Sequence, residues 1–149
     1  MKQIIALGFG LLIATVGFGQ VVTPNSTNRG PITLKTAALV DSAVASNATT
    51  VLIYGQFVGG TDAFHVTGEI IKNSGAPAGK LYFVGGDSPT KMAKLDSFTI
   101  YNGNAIVTFR LPPGHASYSY YGLQAVTTGS QNSTFKGTMQ GKTPPYIIR

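Results

Sequence analysis

The stretch Phe64-His65-Val66-Thr67-Gly68-Glu69-Ile70 decides the fold. Phe64, Val66, Gly68 and Ile70 fall on one side while His65, Thr67 and Glu69 fall on the other. This is the period-2 pattern of a strand with one face on a core and the other in water. Working outward, the same alternation runs through Thr50 to Val58, Lys80 to Val84, Asp96 to Tyr101, Ala105 to Leu111, Tyr118 to Thr127 and Ser133 to Met139, and Ile32 to Val40 opens the series. Gly59-Gly60, Ser74-Gly75-Ala76-Pro77, Gly85-Gly86-Asp87, Pro112-Pro113-Gly114 and Gly129-Ser130 read as turns, because glycine tolerates positive φ and proline fixes its own. Asn102-Gly103 predicts a tight type I′ hairpin joining Ser97–Tyr101 to Asn104–Leu111. Between Leu39 and Ala48 the pattern is ambiguous, and Asp41 to Ala45 reads as either a short helical turn or a loop.

No segment keeps apolar residues at helical spacing long enough to form a crossover helix. Strands of this length separated by turns predict an all-β fold, an antiparallel β-sandwich or small barrel with about seven or eight strands. The inward positions give a core of Val51, Ile53, Phe57, Phe64, Val66, Ile70, Leu81, Phe83, Phe98, Ile100, Val107, Phe109, Leu123 and Phe135. Burying each large side chain contributes about 1.5–3 kcal/mol.

The ends differ from this body. Met1 to Gly19 has a basic Lys2, an apolar run from Ile4 to Val16 and small residues before Gln20, the pattern of an export signal. The run is short for a bilayer span, which takes about 20 residues. Membrane association is therefore the alternative that applies only if residues 4–16 are retained. Residues 20–30 form a polar leader, residues 31–141 the sandwich domain, and residues 142–149, with Pro144-Pro145, a tail that cannot continue a central strand.

Composition narrows the chemistry. The chain has 149 residues, 43% of them apolar, which is enough for one core and too few for a second catalytic domain. With no Cys, two His and five carboxylates, thiol chemistry, cysteine zinc sites and iron–sulfur clusters are excluded. His65 and Glu69 stand about 13 Å apart along one strand, too far to form a metal site by themselves. His115 lies in a loop that sequence does not bring to Asp62 or His65. The aspartates Asp41, Asp62, Asp87 and Asp96 are dispersed, and no Gly-x-Ser-x-Gly elbow is present. The reading is a non-enzyme with no catalytic residues, no metal and no cofactor.

The formal charge is +6, yet Lys35, Lys72, Lys80, Lys91, Lys94, Arg110, Lys136 and Lys142 are spread singly. They form no basic stripe, so no nucleic-acid partner is expected, and the mild positive field is compatible with acidic glycans or envelopes. Tyr118, Tyr120 and Tyr121 are the candidate interface, with Tyr118 and Tyr120 assigned to one strand face; tyrosine joins apolar area to a polar tip. Packing of this strand into the core is the competing reading. Asn25, Asn47 and Asn132 head sequons that matter only in a host that uses them. Asp41-Ser42-Ala43 matches a short O-glycosylation pattern of exported Bacteroidota proteins, which makes Ser42 a candidate acceptor.

Two resemblances follow. Val16-Gly17-Phe18-Gly19-Gln20 resembles export signals of Flavobacterium-like bacteria. The order of Val66 and Gly68, Lys72 to Gly79, Leu81 to Gly86, Leu95 to Ile100, and Tyr120 to Gly137 is similar to small Ig-like or jelly-roll virion proteins of phages infecting Bacteroidota. It covers roughly residues 64 to 137 and rests on turns and strands rather than on reactive groups. The resemblance implies a structural component of a capsid, decoration or tail that contacts copies of itself or other virion proteins, located in the virion or outside the cell. The alternative from another class is a secreted or surface-attached bacterial module that binds a host surface glycan or a partner protein.

Overall fold

The structure, a computed structural model, describes residues 31–57, 63–112 and 115–142. The expectations for residues 1–30 and 143–149, and the turns at Gly59-Gly60 and Pro113-Gly114, lie outside the described residues.

The described residues form nine antiparallel strands: β1 (Ile32–Thr33), β2 (Ser42–Ser46), β3 (Thr50–Gln56), β4 (Ala63–Gly75), β5 (Ala78–Ser88), β6 (Lys91–Ile100), β7 (Ala105–Leu111), β8 (Tyr120–Thr128) and β9 (Gln131–Lys142). In the first sheet β2 and β1 share one side of β9, and β4 and β7 follow on the other. The second sheet runs β3-β8-β5-β6. The pairings nest: β5 with β6, β4 with β7, β3 with β8 and β2 with β9. A long antiparallel ribbon folded about the β5–β6 turn and rolled so that successive pairs alternate between two sheets gives this order. The sandwich is therefore a jelly roll rather than an Ig fold.

The expected core fills the space between the sheets. Eleven of its residues, from Ile53 to Phe135, are buried, and Val51, Phe98 and Val107 pack partly buried against them. Phe57, Phe64, Phe83, Phe109 and Tyr121 form its aromatic part: Phe64 lies 4.6 Å from Tyr121 and Phe83 stacks at 5.6 Å on Phe109, centroid to centroid. At the other end Gly68 and Gly137 face each other across β4 and β9. A Cβ on Gly68 would stand 2.7 Å from Leu123 Cδ1, and one on Gly137 2.8 Å from Leu34 Cδ1. These two glycines let leucine side chains, that of Leu123 from the facing sheet and that of Leu34 just after β1, press directly against the backbone, so the need here is space rather than positive φ.

Several expectations are corrected. The Asn102-Gly103 turn does not close a hairpin. β6 and β7 belong to different sheets, and the turn carries the chain across the sandwich. Asn104 Oδ1 accepts the Lys72 N–H at 2.9 Å and Asn102 Oδ1 accepts Lys72 Nζ at 2.7 Å, which ties the turn to β4 instead of to a two-strand ladder. Gly85-Gly86 is not a turn either, since both residues lie inside β5. A side chain on Gly85 would collide with Tyr118, Leu95 and Tyr121, and one on Gly86 with the Lys91 backbone, so close packing explains both. The Asp41–Ala45 stretch is neither helical turn nor loop beyond Asp41, because Ser42–Ser46 is strand β2 with Ala43 and Ala45 buried. Ile32–Val40 contracts to β1 and a bridge between Lys35 and Tyr54, which lets the segment touch both sheets. Lys142, assigned to the tail, still pairs with Ala63 in β9.

One end of the roll is held by polar groups. Asn47, with φ 56, turns β2 toward β3. Buried Thr127 shares its hydroxyl proton between the Asn47 carbonyl at 2.7 Å and the Thr49 carbonyl at 3.0 Å, and accepts the Thr49 N–H at 3.2 Å. Ser133 Oγ donates to Gln131 Oε1 at 2.9 Å, also out of water. Buried polar atoms partnered in this way avoid the desolvation penalty of an orphan, about 1–3 kcal/mol each.

Candidate functional site

The three tyrosines of the candidate interface separate. β8 begins at Tyr120, so the strand face expected for Tyr118 and Tyr120 does not exist as drawn. Tyr121 points inward and is 0% exposed, with its hydroxyl accepting the Tyr118 N–H at 3.1 Å. Tyr118 is half-buried against the same cluster, with its ring 6.1 Å from that of Tyr121. Only Tyr120 looks outward. The reason is parity: inward Leu123 fixes Tyr121 on the core side, and Tyr120 takes the opposite face.

Tyr120 is not alone there. Tyr54 on β3 approaches it edge-on, with centroids 6.2 Å apart. Tyr82 on β5 lies on the same outward face, between inward Leu81 and Phe83. The register aligns Tyr54, Gly122, Val84 and Lys94 in one row, and Leu52, Gln124, Tyr82 and Ser97 in the next. From strand spacing and rise, the Cα atoms of Tyr54 and Tyr82 are about 12 Å apart. A Cβ on Gly122 would meet the Ile53 carbonyl oxygen at 2.3 Å and the β carbon of Tyr54 at 2.9 Å, so this glycine lets β3 approach β8 closely where Tyr54 stands. Val84 faces outward yet is 1% exposed and outside the core cluster, so its neighbours on this face cover it. Lys94 Nζ sits 3.9 Å from the Tyr82 ring centroid, within cation–π range. The result is a platform of three half-exposed rings edged by Gln56, Gln124 and Lys94.

The outward face of the first sheet is of another kind. Thr33, Thr138, Thr67 and Thr108 form one row across β1, β9, β4 and β7, with the Thr67 and Thr108 hydroxyls 3.1 Å apart. Lys136 and Glu69 are opposite each other in the next row, and Gln140, His65 and Arg110 align on the far side. No tyrosine or phenylalanine stands among its described outward positions. His65 lies on β4 and His115 is exposed in the segment before β8, and among the described residues no group of three or more His, Asp or Glu side chains could hold a metal ion. Asp62 lies outside the described residues. Ser42 is half-buried on the outward side of β2, opposite Lys136. Asp41 meets Lys35 at 3.4 Å in an exposed pair of small energetic weight.

Sequence reasoning singled out Tyr120 but missed Tyr54 and Tyr82, because they sit on separate strands. The signal was present: each is a large aromatic at a position that alternation assigns to water.

No protein-family model matches the chain, and no curated protein matches it. Solved structures give likenesses of shape. One is the CBM22-1–GH10 part of a Clostridium thermocellum endo-1,4-β-D-xylanase complexed with xylohexaose, at TM-score 0.41 and 13% identity, covering 80% of this chain and 27% of that one. The chain thus spans about a quarter of that protein's length. Another is a protein of Bacillus endospore appendages, described as disulfide-linked pili, at TM-score 0.41 and 12% identity over 81% of this chain and 95% of that one. A third is the CBM22-1 xylan-binding domain of Paenibacillus barcinonensis Xyn10C, at TM-score 0.40 and 11% identity over 80% and 86%. These values are too low to carry anything beyond a general likeness of shape. By its own strand order, the chain is a β-sandwich module of jelly-roll topology.

Proposed function

We propose that the chain is an exported, non-catalytic recognition module that binds a polysaccharide on the outward face of the β3-β8-β5-β6 sheet. The observation that carries this reading is the platform of Tyr54, Tyr82 and Tyr120. Three half-exposed rings on one sheet face offer apolar area for the C–H faces of sugar rings, and their hydroxyls with Gln56 and Gln124 offer hydrogen bonds to sugar hydroxyls. Their separation suits an extended chain rather than a single monosaccharide. Affinity electrophoresis through gels containing soluble polysaccharides tests this. Retention by at least one polymer, weakened about tenfold in the Tyr54→Ala/Tyr82→Ala double variant, is expected. Unretarded migration of a folded protein in every polymer would refute it.

Assembly is the second reading, and the virion role expected from the resemblance belongs here. It is favoured by Leu39, Val40 and Val44, which are 74%, 52% and 55% exposed around the free edge of β2. Exposed apolar residues gathered at a strand edge suit contact with a second copy or another coat protein. Sizing by light scattering tests self-association, and a peptide mass map of purified particles tests the virion. Export is checked by intact mass, a mature chain beginning at Gln20 being expected.

A further inference from the structure

Within the glycan-binding reading, on which this rests, we infer that the ligand is an anionic polysaccharide carrying uronic-acid carboxylates, and that Lys94 and Lys80 receive those carboxylates beside Tyr82. The Tyr82 ring is not bare: Lys94 Nζ sits over it at 3.9 Å. The ammonium lies over one face of the Tyr82 ring and so holds a positive charge beside the apolar area of the platform. Lys80 lies two residues from Tyr82 on the same outward face and is exposed. Tyr82 is thereby bracketed by two cations.

The negative groups nearby do not cancel them. The outward positions of β3, β8 and β5, namely Thr50, Leu52, Tyr54 and Gln56, then Tyr120, Gln124 and Val126, then Lys80, Tyr82 and Val84, include no carboxylate. Asp96 is the nearest acid on β6. It sits at the bulge opposite inward-facing Phe83 and turns its Oδ1 back to the Ser97 N–H at 2.7 Å. Asp87 lies near the end of β5. On the first sheet, outward Lys136 stands opposite Glu69 and Arg110 stands beside His65, with no tyrosine between them. Two lysines therefore meet beside one tyrosine on the aromatic face although the lysines look scattered along the chain. A carboxylate on a sugar stacked near Tyr82 would reach Lys94 through a charge-assisted hydrogen bond, while Gln124 and the Tyr82 hydroxyl remain for the sugar hydroxyls.

The experiment is affinity electrophoresis of the full chain against alginate and polygalacturonate, with neutral xylan and highly methyl-esterified pectin as uncharged counterparts and double-stranded DNA as a polyanion without sugar carboxylates. The expected result is retention by a uronate polymer, about tenfold weaker for Lys94→Gln and weakened again by 1 M salt, where the Debye length falls to about 3 Å. Pectin esterification should remove the retention by polygalacturonate. Stronger retention by neutral xylan than by either uronate polymer would overturn the inference while leaving polysaccharide binding standing. Equal retention by DNA would overturn it by showing unspecific ion exchange. Migration unchanged in every gel would remove both this inference and the reading beneath it.

Discussion

The two outward faces of the sandwich are built on the same backbone geometry and share one core, yet they differ in what they show to water. Across β1, β9, β4 and β7 lies a row of four threonines flanked by a Lys136–Glu69 pair. Across β3, β8, β5 and β6 lie three tyrosines, a buried outward valine and a lysine held over a ring. Threonine satisfies a strand's steric preference and its own hydrogen bonds with little apolar surface to spare. Tyrosine at an equivalent position exposes apolar area that folding does not require. The first face thus shows threonines and paired charges, with its apolar exposure at Ile106 and Val44 toward the strand edges, whereas the second shows aromatic area at its centre, the basis of the proposed ligand face.

The comparison can be broken at several points. The largest effect lies in the layer that both faces share. Tyr121→Ala empties a site ringed by Phe57, Phe64 and Phe83, and unfolding in urea should show a loss of about 3–5 kcal/mol. Its neighbour Tyr120, replaced by Ala, should cost under about 1 kcal/mol, since the side chain is on the surface. Thr127→Ala comes next. It strips the hydroxyl that serves the Asn47 and Thr49 backbone, and about 1–3 kcal/mol should be lost in the same assay. On the aromatic face, Tyr54→Ala/Tyr82→Ala should weaken polysaccharide retention roughly tenfold, equivalent to about 1.4 kcal/mol of binding, with the far-ultraviolet circular dichroism unchanged. The smallest effect belongs to the threonine face. Thr67→Ala/Thr108→Ala should leave retention as it is and change stability by no more than about 0.5 kcal/mol per site.

How much of this was legible beforehand can be followed residue by residue. The alternation of Phe64 to Ile70 placed β4 and the core correctly, because burial on one face imposes period 2 directly on the sequence. The choice between Ig-like and jelly-roll order was not legible, because pairing between strands distant in the chain leaves no local mark. Asn102-Gly103 shows the limit: the dipeptide carries the turn chemistry of a hairpin, and only the two asparagine contacts to Lys72 reveal a crossing between sheets. Gly85-Gly86 misled for a related reason, since a glycine needed for close packing and one needed for a turn look identical in sequence. At the site, Tyr120 was legible and Tyr121 was misassigned, as the first residue of a strand sets which neighbour faces inward. Tyr54 and Tyr82 join Tyr120 only through the β3-β8-β5 register, which no spacing along the chain encodes.

The central claim is that one face binds and the other does not. Amide chemical shifts recorded while a retained oligosaccharide is titrated into isotopically labelled protein test it most directly. Shifts concentrated at Tyr54, Tyr82, Lys94, Tyr120 and Gln124, with Thr67, Thr108 and Lys136 unmoved, are the expected result. Shifts centred on the threonine row, or on the β2 edge around Val40 and Val44, would contradict it.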